Sequence, residues 1–399
     1  MTVDRHQAWL EIDLDAFAAN ISVLNQVAGG AALAVVVKAN GYGHGAPAMA
    51  EAAIAAGAER VCVFNLDEAA ALRRAGFSGK IVVLGYAPPA EAERALSLDV
   101  APVVAHRDVV QALAQAAAAQ GVIQPVHCKV ESGMHRFGLP REALLEMAAL
   151  VRDCPSLRLE GLCTQFPAAD GPDPAATRAL FQQFLAVARV VRAPLRHVAN
   201  SATLLRFPEM ALEMVRPGLS AYGLRPSRCE GAAARDLQPV LSWKAKIVQM
   251  HDVPAGRSIS YGGAWTAARD SRIGVIPVGY ADGWRRALSD RAGVLVHGRR
   301  APVVGAVCMD MCMVDLTEIL PARPGDVVVL VGEHQGLRNS VEEIAALCET
   351  IPYEILTGLG ARHPRIYLRH GRPVAVQSLL DQAPVSAYAP SVAALLLAR

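Results

Sequence analysis

Over the first 220 residues, short apolar runs alternate with alanine- and leucine-rich stretches whose apolar positions recur every three or four residues. The runs at 33–37, 61–65, 81–85, 101–105, 125–130, 161–166, 196–200 and 214–218 are short and largely apolar and read as buried strands. Between them, 46–56, 66–75, 89–96, 109–119, 142–152, 175–191 and 203–207 carry the helical period. Eight strand runs separated by helical intervals match the count for a (β/α)8 barrel. A doubly wound sheet is the alternative, because periodicity does not report closure.

After about residue 235 the pattern changes. Runs at 239–243, 272–278, 293–296, 301–304, 313–316 and 326–331 are short, strand-like and punctuated by Gly and Pro, with a helix at 341–348 and a further strand at 365–368. The fold class is therefore α/β, an N-terminal (β/α)8 TIM-type barrel followed by a mostly β C-terminal domain. The expected boundaries are 9–235 for the barrel and 236–376 for the β-rich domain. Residues 1–8 are available to add to the latter, and 377–399 form a tail with no assigned role. The alternating segment 8–12 can join either sheet.

Composition narrows the function classes. Hydrophobic residues make up 53% of 399 positions, enough for a large core, and the formal net charge is only +2 with both signs interspersed. That balance argues against a nucleic-acid or membrane-surface partner. Residues 1–7 lack the apolar core of a secretory signal and no run is long enough to span a bilayer, so a cytoplasmic protein is expected. The eight cysteines are scattered without a CxxC pair, which points to thiols rather than disulfides or a metal site.

Of the five lysines, Lys38 alone ends an apolar strand run and opens a glycine-rich loop, Ala39-Asn40-Gly41-Tyr42-Gly43-His44-Gly45. An amine placed there can be desolvated, which lowers its pKa and frees it to form a Schiff base. The functional end of a barrel is the C-terminal end of its strands. There the sequence offers Lys38 and Tyr42, then 131–136, Thr164-Gln165-Phe166, Asn200-Ser201 and 216–219. Loops after the seventh and eighth strands commonly hold phosphate, and here they supply Ser201 and Gly218. A strand-end lysine with a phosphate cradle suggests pyridoxal phosphate.

The segment 34–45 closely resembles the cofactor-lysine signature of the alanine racemases, and the likeness continues through 129–138, 197–202, 216–223, 260–262, 276–283, 305–310, 350–354 and 362–366. The resemblance implies a pyridoxal 5'-phosphate enzyme that interconverts L- and D-alanine. It implies a homodimer with shared active sites, an amino-acid substrate and a role in D-alanine supply for peptidoglycan. Lys38 would carry the cofactor and serve one face of the substrate; Tyr261 of a second subunit would serve the other, since racemisation needs a proton group on each side. Arg216 would meet the pyridine nitrogen, with His197 behind it. Tyr42, Asn200, Ser201, Gly218, Leu219 and Tyr353 would hold the cofactor, and Gln165 would lie over its ring. Arg136, with Met309 and Asp310 from the second subunit, would bind the substrate, Tyr280 would narrow the entrance, and Lys129 would support the site without touching cofactor or substrate.

Three positions depart from the family pattern. Gln165 stands where histidine is usual, Glu131 replaces an aspartate, and His135 a glycine. Unlike histidine, an amide cannot titrate near neutral pH. These changes keep open a racemase of another amino acid, such as serine or a larger one, or a pyridoxal-phosphate-binding protein of low activity. A decarboxylase of similar architecture is disfavoured by Tyr261 and Tyr280.

Overall fold

The computed structural model describes residues 5–229 and 231–379, so the expected tail lies outside the described residues from 380 onward. By internal contacts the chain forms two units: residues 16–41 with 46–238, and residues 5–15, 42–45 and 239–379.

The strand β1 (Ala8–Asp13) precedes eight parallel strands: β2 (Ala32–Val36), β3 (Arg60–Val63), β4 (Lys80–Val83), β5 (Val100–Val104), β6 (Gln124–Lys129), β7 (Leu157–Cys163), β8 (Leu195–His197) and β9 (Met214–Val215). They pair in sequence from β2 to β8, while β9 returns to pair with β2. One bridge, Asn200 to Arg216, joins the remaining edges and leaves a nearly closed barrel. Branched residues such as Val35, Val61, Val82, Val103 and Val126 are buried in it, as expected for strands covered on both faces.

A helix absent from the expected set, Leu14–Ala28, precedes the first barrel strand. Its buried face contains Asn20, a polar residue that breaks the apolar period. Asn20 Nδ2 donates to the carbonyls of Ala221 (3.1 Å) and Gln238 (2.8 Å), and its Oδ1 accepts the Gln238 N–H (2.8 Å). The side chain thus closes the barrel's last segment against its first helix at no cost in unpaired groups.

The second unit contains β10 (Leu241–Lys246), β11 (Gln249–Val253), β12 (Ser258–Ile259), β13 (Trp265–Thr266), β14 (Ser271–Ile276), β15 (Gly293–Val296), β16 (Arg299–Pro302), β17 (Cys312–Asp315), β18 (Val327–His334), β19 (Leu337–Asn339), β20 (Arg365–Arg369) and β21 (Arg372–Gln377). The largest sheet runs β16-β15-β18-β10-β1-β20-β21, with β19 beside β18; β11-β14-β17 and β12-β13 form smaller sheets.

The placement of β1 differs from the expected barrel boundary at residue 9. It runs antiparallel to β10, with Leu10 opposite Trp243, and parallel to β20. Trp9, Leu10 and Ile12 are buried there, so the barrel unit begins at residue 16. Tyr42–Gly45 also belongs to the β-rich unit: Arg365 Nε donates to the Gly43 carbonyl (3.1 Å) and the Tyr367 hydroxyl to that of His44 (3.0 Å).

Candidate active site

β2 delivers Lys38 to the C-terminal rim of the barrel through Val37, which is fully buried. The chain then makes a left-handed turn, with φ of 52° at Ala39, 54° at Asn40, 62° at Gly41 and 52° at Tyr42. Each non-glycine residue in that region costs on the order of 1–2 kcal/mol, so the turn requires outside support. Gly41 N–H donates to the Val37 carbonyl (2.8 Å), and Asn40 Oδ1 accepts the Ala46 N–H (3.1 Å). Burial pushes the Lys38 pKa down and the Arg136 charge adds to this, while the Glu68 carboxylate opposes it.

Arg216 follows β9 and is almost wholly buried. Nη1 donates to His197 Nδ1 (2.7 Å) and to the His197 carbonyl (2.6 Å). Nη2 donates to the Thr164 carbonyl (2.8 Å) and to Gln165 Oε1 (3.3 Å). Behind His197 the chain of contacts continues: His197 Nε2 lies 2.8 Å from His127 Nδ1, and His127 Nε2 lies 2.9 Å from Glu160 Oε2. Arg60 Nη1 meets the same Glu160 oxygen at 3.1 Å.

These partners assign every proton. A guanidinium can only donate, so His197 Nδ1 accepts and its Nε2 carries the hydrogen. His127 Nδ1 must then accept, and its Nε2 donates to Glu160. The His127 hydrogen bond holds the Glu160 carboxyl down at about 2, so the chain ends on an anion. Both imidazoles are neutral, and burial pushes both of their pKa values down. Gly161, opposite His127 in the barrel register, makes room for the ring: a Cβ there would lie 2.1 Å from His127 Nδ1.

The loops after β8 and β9 converge on Ser201, whose Oγ accepts the N–H groups of Gly218 (3.0 Å) and Ser220 (3.2 Å). Asn200 caps the following helix, its Oδ1 accepting the Thr203 N–H (2.9 Å). The Ser220 and Thr203 hydroxyls are buried there without a hydrogen-bond partner. Two hydroxyl donors short of an acceptor, beside a pair of backbone N–H groups, fit an anion.

After β6, Glu131 Oε1 accepts the N–H groups of Ser132 (2.8 Å) and His135 (3.0 Å), shaping the loop that carries Arg136. Burial pushes the Glu131 carboxyl up, but the loop N–H groups of His135, Ser132, Met134 and Gly133 outweigh it and hold it below the usual range. His135 takes φ +51° and its side chain is exposed. Lys129 packs over the Phe137 ring at 5.5 Å, and burial lowers its pKa. The Ser132 hydroxyl donates to the Gln165 carbonyl (2.8 Å), so Gln165 is held at both its backbone and its side chain.

Six of the expected residues lie in the other unit. Tyr42 and Tyr353 pack at 6.1 Å between ring centroids. Tyr261, 79% exposed, sits between β12 and β13 after Ser260, which takes φ +72°. Ser260 Oγ accepts the Ala306 N–H (2.9 Å), and Gly305 permits the approach, since a Cβ there would lie 2.6 Å from Ser260 Cβ. The turn of Tyr280 is tied to the loop of Met309 by two bonds, Tyr280 N–H to the Cys308 carbonyl and Ala281 N–H to that of Met309, both 3.0 Å. Arg362 bridges Asp282 (2.9 Å) and Asp310 (2.7 Å).

Comparison with known proteins agrees across both units. The models of the alanine racemase N-terminal domain and C-terminal domain match residues 12–226 and 240–367. The chain belongs to the alanine racemase family. It is 40% identical to the alanine racemase of Halothermothrix orenii over 366 residues, covering 90% of this chain and 96% of that one. That of Desulfovibrio desulfuricans is 41% identical, with 90% and 98% covered. Among solved structures, the alanine racemase of Bacillus anthracis with bound L-Ala-P superposes with a TM-score of 0.86 at 34% identity, covering 94% and 98%. That of Streptomyces coelicolor gives 0.85 at 36%, covering 91% and 98%.

Within this member of the alanine racemase family, sequence reasoning missed His127, Glu160, Thr203, Ser220 and Glu68. His127 and Glu160 lie inside strands, and their meeting depends on the β6–β7 register. Arg136 is exposed and Asn200 spends its side-chain oxygen on a helix cap, so neither shows its expected contact directly.

Proposed function

We propose that the protein is a pyridoxal-phosphate-dependent racemase of alanine, acting as a cytoplasmic homodimer and supplying D-alanine for peptidoglycan. The observation that carries this reading is the buried Arg216 fixed by His197, on the same barrel rim as the desolvated Lys38 and the anion-fitting loops at Ser201 and Gly218.

Lys38 would hold the cofactor covalently, with Arg216 at the ring nitrogen and Gln165 over the ring. Ser201, Gly218, Leu219, Tyr42 and Tyr353 would hold its phosphate, and the orphaned Ser220 and Thr203 hydroxyls fit an anion nearby. When bound, the cofactor supplies the electron sink that acidifies the substrate α-proton. An always-charged arginine at the ring nitrogen, already held by His197, Thr164 and Gln165, would not release a proton to it, because a guanidinium stays protonated throughout the physiological range. It would leave that nitrogen unprotonated and the electron withdrawal modest, which would favour simple proton return over transamination.

Lys38 takes or returns the α-proton on one face. Its lowered pKa leaves more of the free amine near neutral pH. Tyr261 of the partner subunit does the same on the other face. The exposure of its side chain in the single chain supports this presentation. Arg136, with the loop of Met309 and Asp310 of the partner subunit, orients the substrate carboxylate, and Tyr280 narrows the approach toward a small side chain. Gln165 favours a second reading, a racemase of serine or a larger amino acid, because it changes the group expected above the ring.

The test is a panel of single enantiomers incubated with purified enzyme and resolved by chiral chromatography. Alanine should be converted fastest. Faster conversion of serine or a larger amino acid would move the assignment to the second reading.

A further inference from the structure

Glu68 lies in the first turn of the helix Leu66–Arg74, three residues after its N-cap Asn65, whose Oδ1 accepts the Glu68 N–H (2.9 Å). A glutamate at that position ordinarily turns back to the N–H of the cap residue itself. This one does not. Its Oε2 accepts the N–H of Phe64, one residue earlier (2.6 Å), and its Oε1 accepts the N–H of Ala39 (2.7 Å). Phe64 follows β3, and Ala39 follows Lys38 as the first residue of the left-handed turn. One carboxylate therefore ties together the rim loops of two neighbouring barrel strands, at the residue next to the amine.

The charges that act most on Lys38 include the same group. Besides Glu68 they are Arg136, Arg216 and the Cys62 thiol. Burial pushes Cys62 up to about 12, so it is neutral at physiological pH, and Glu68 is the anion set against two arginines.

We propose that Glu68 is a positioning residue for Lys38, clamping the strained turn that follows the amine and holding a negative charge at the residue next to it. The proposal rests on the reading of Lys38 as the cofactor lysine. Without Glu68 the Ala39 N–H loses its acceptor and the turn loses its first tether, while the Asn40 tether to Ala46 remains.

Glu68→Gln keeps the shape but removes the charge and one of the two acceptors; Glu68→Asp keeps the charge on a shorter arm. In the loaded enzyme, hydrogen exchange should quicken about tenfold at Ala39 or Phe64 in both variants, the effect of losing one hydrogen bond. A pH titration of the lysine-linked cofactor absorbance should shift to lower pH in Glu68→Gln, because an anion favours the protonated form and its removal disfavours it. In Glu68→Asp the titration should stay near that of the native enzyme. Native exchange at both amides in Glu68→Gln would overturn the clamp. Faster exchange with an unmoved titration would also overturn the proposal, leaving a brace that does not serve Lys38. Should Glu68→Gln not fold, Glu68→Asp with native exchange at both amides sinks it equally. A native enzyme without any lysine-linked absorbance would instead sink the cofactor reading, and is recognised before a variant is made.

Discussion

The two units hold their candidate site residues in opposite ways. In the barrel, Arg216 is fixed by partners that are themselves fixed, through His197 and His127 to Glu160 and Arg60, nearly all of it out of water. In the β-rich unit, Tyr261, Met309 and Tyr280 stand on short loops with side chains 79%, 53% and 43% exposed. The first arrangement sets charge and geometry in advance; the second leaves its groups at the surface of its own unit. Substitutions that support the barrel site should therefore change stability and turnover together, while those on the exposed loops should change turnover alone.

The largest effect should come from Lys38→Ala, which in the proposed reaction would remove both the cofactor link and one proton group. Turnover should fall by more than about 10⁴-fold, beyond the usual contribution of a single acid/base group. Chiral assay together with the loss of cofactor absorbance would register it.

Tyr261→Phe should cost about 10²–10⁴-fold and leave the urea midpoint unchanged, since the exposed hydroxyl makes no hydrogen bond among the described residues. Loss of α-proton abstraction should be greater from L-alanine than from D-alanine, read by isotope exchange from each enantiomer. Small and equal effects from both would remove Tyr261 from the reaction and dissolve the contrast between the units.

His127→Leu cuts the barrel chain in the middle, leaving the His197 Nε2–H and Glu160 facing an apolar group. Each buried polar group left unpaired costs about 1–3 kcal/mol, measurable by urea denaturation, and turnover should fall less than in either previous variant. The same histidines set the pH dependence. Their folded pKa values lie below the ordinary 6.5, so the unfolded chain binds more protons under that value. Stability should be complete above about pH 6.5 and decline as pH falls below it, with a shallower decline in His127→Leu.

The smallest change should come from Gln165→His. The side chain already accepts from Arg216, as a histidine nitrogen could, so turnover should move only within a factor of a few. A large gain would show that the amide limits the native enzyme.

Much of this was legible in the sequence, because it lay in local order. A β-branched run that ends at Lys38, the eight-fold repeat of strand and helix, and the loops that carry Ser201 and Gly218 are all contiguous signals. What failed to show depended on registers or partners. Residues 8–12 alternate as a half-buried strand should, but alternation does not name the partner, and Trp243 proved to be opposite Leu10. His127 and Glu160 lie 33 residues apart and meet only because His127 pairs across from Gly161. Asn20 hid a whole helix by placing an amide on its buried face. Glu68 read as an ordinary acidic first-turn residue until its carboxylate was seen at Ala39 and Phe64.

The most direct test of the two-group account is racemisation of L-alanine in deuterium oxide. D-alanine should form with deuterium at the α-carbon, because the group that returns a proton is not the one that removed it and exchanges with solvent. Cofactor bound to the enzyme with no α-deuterium in either enantiomer would contradict it.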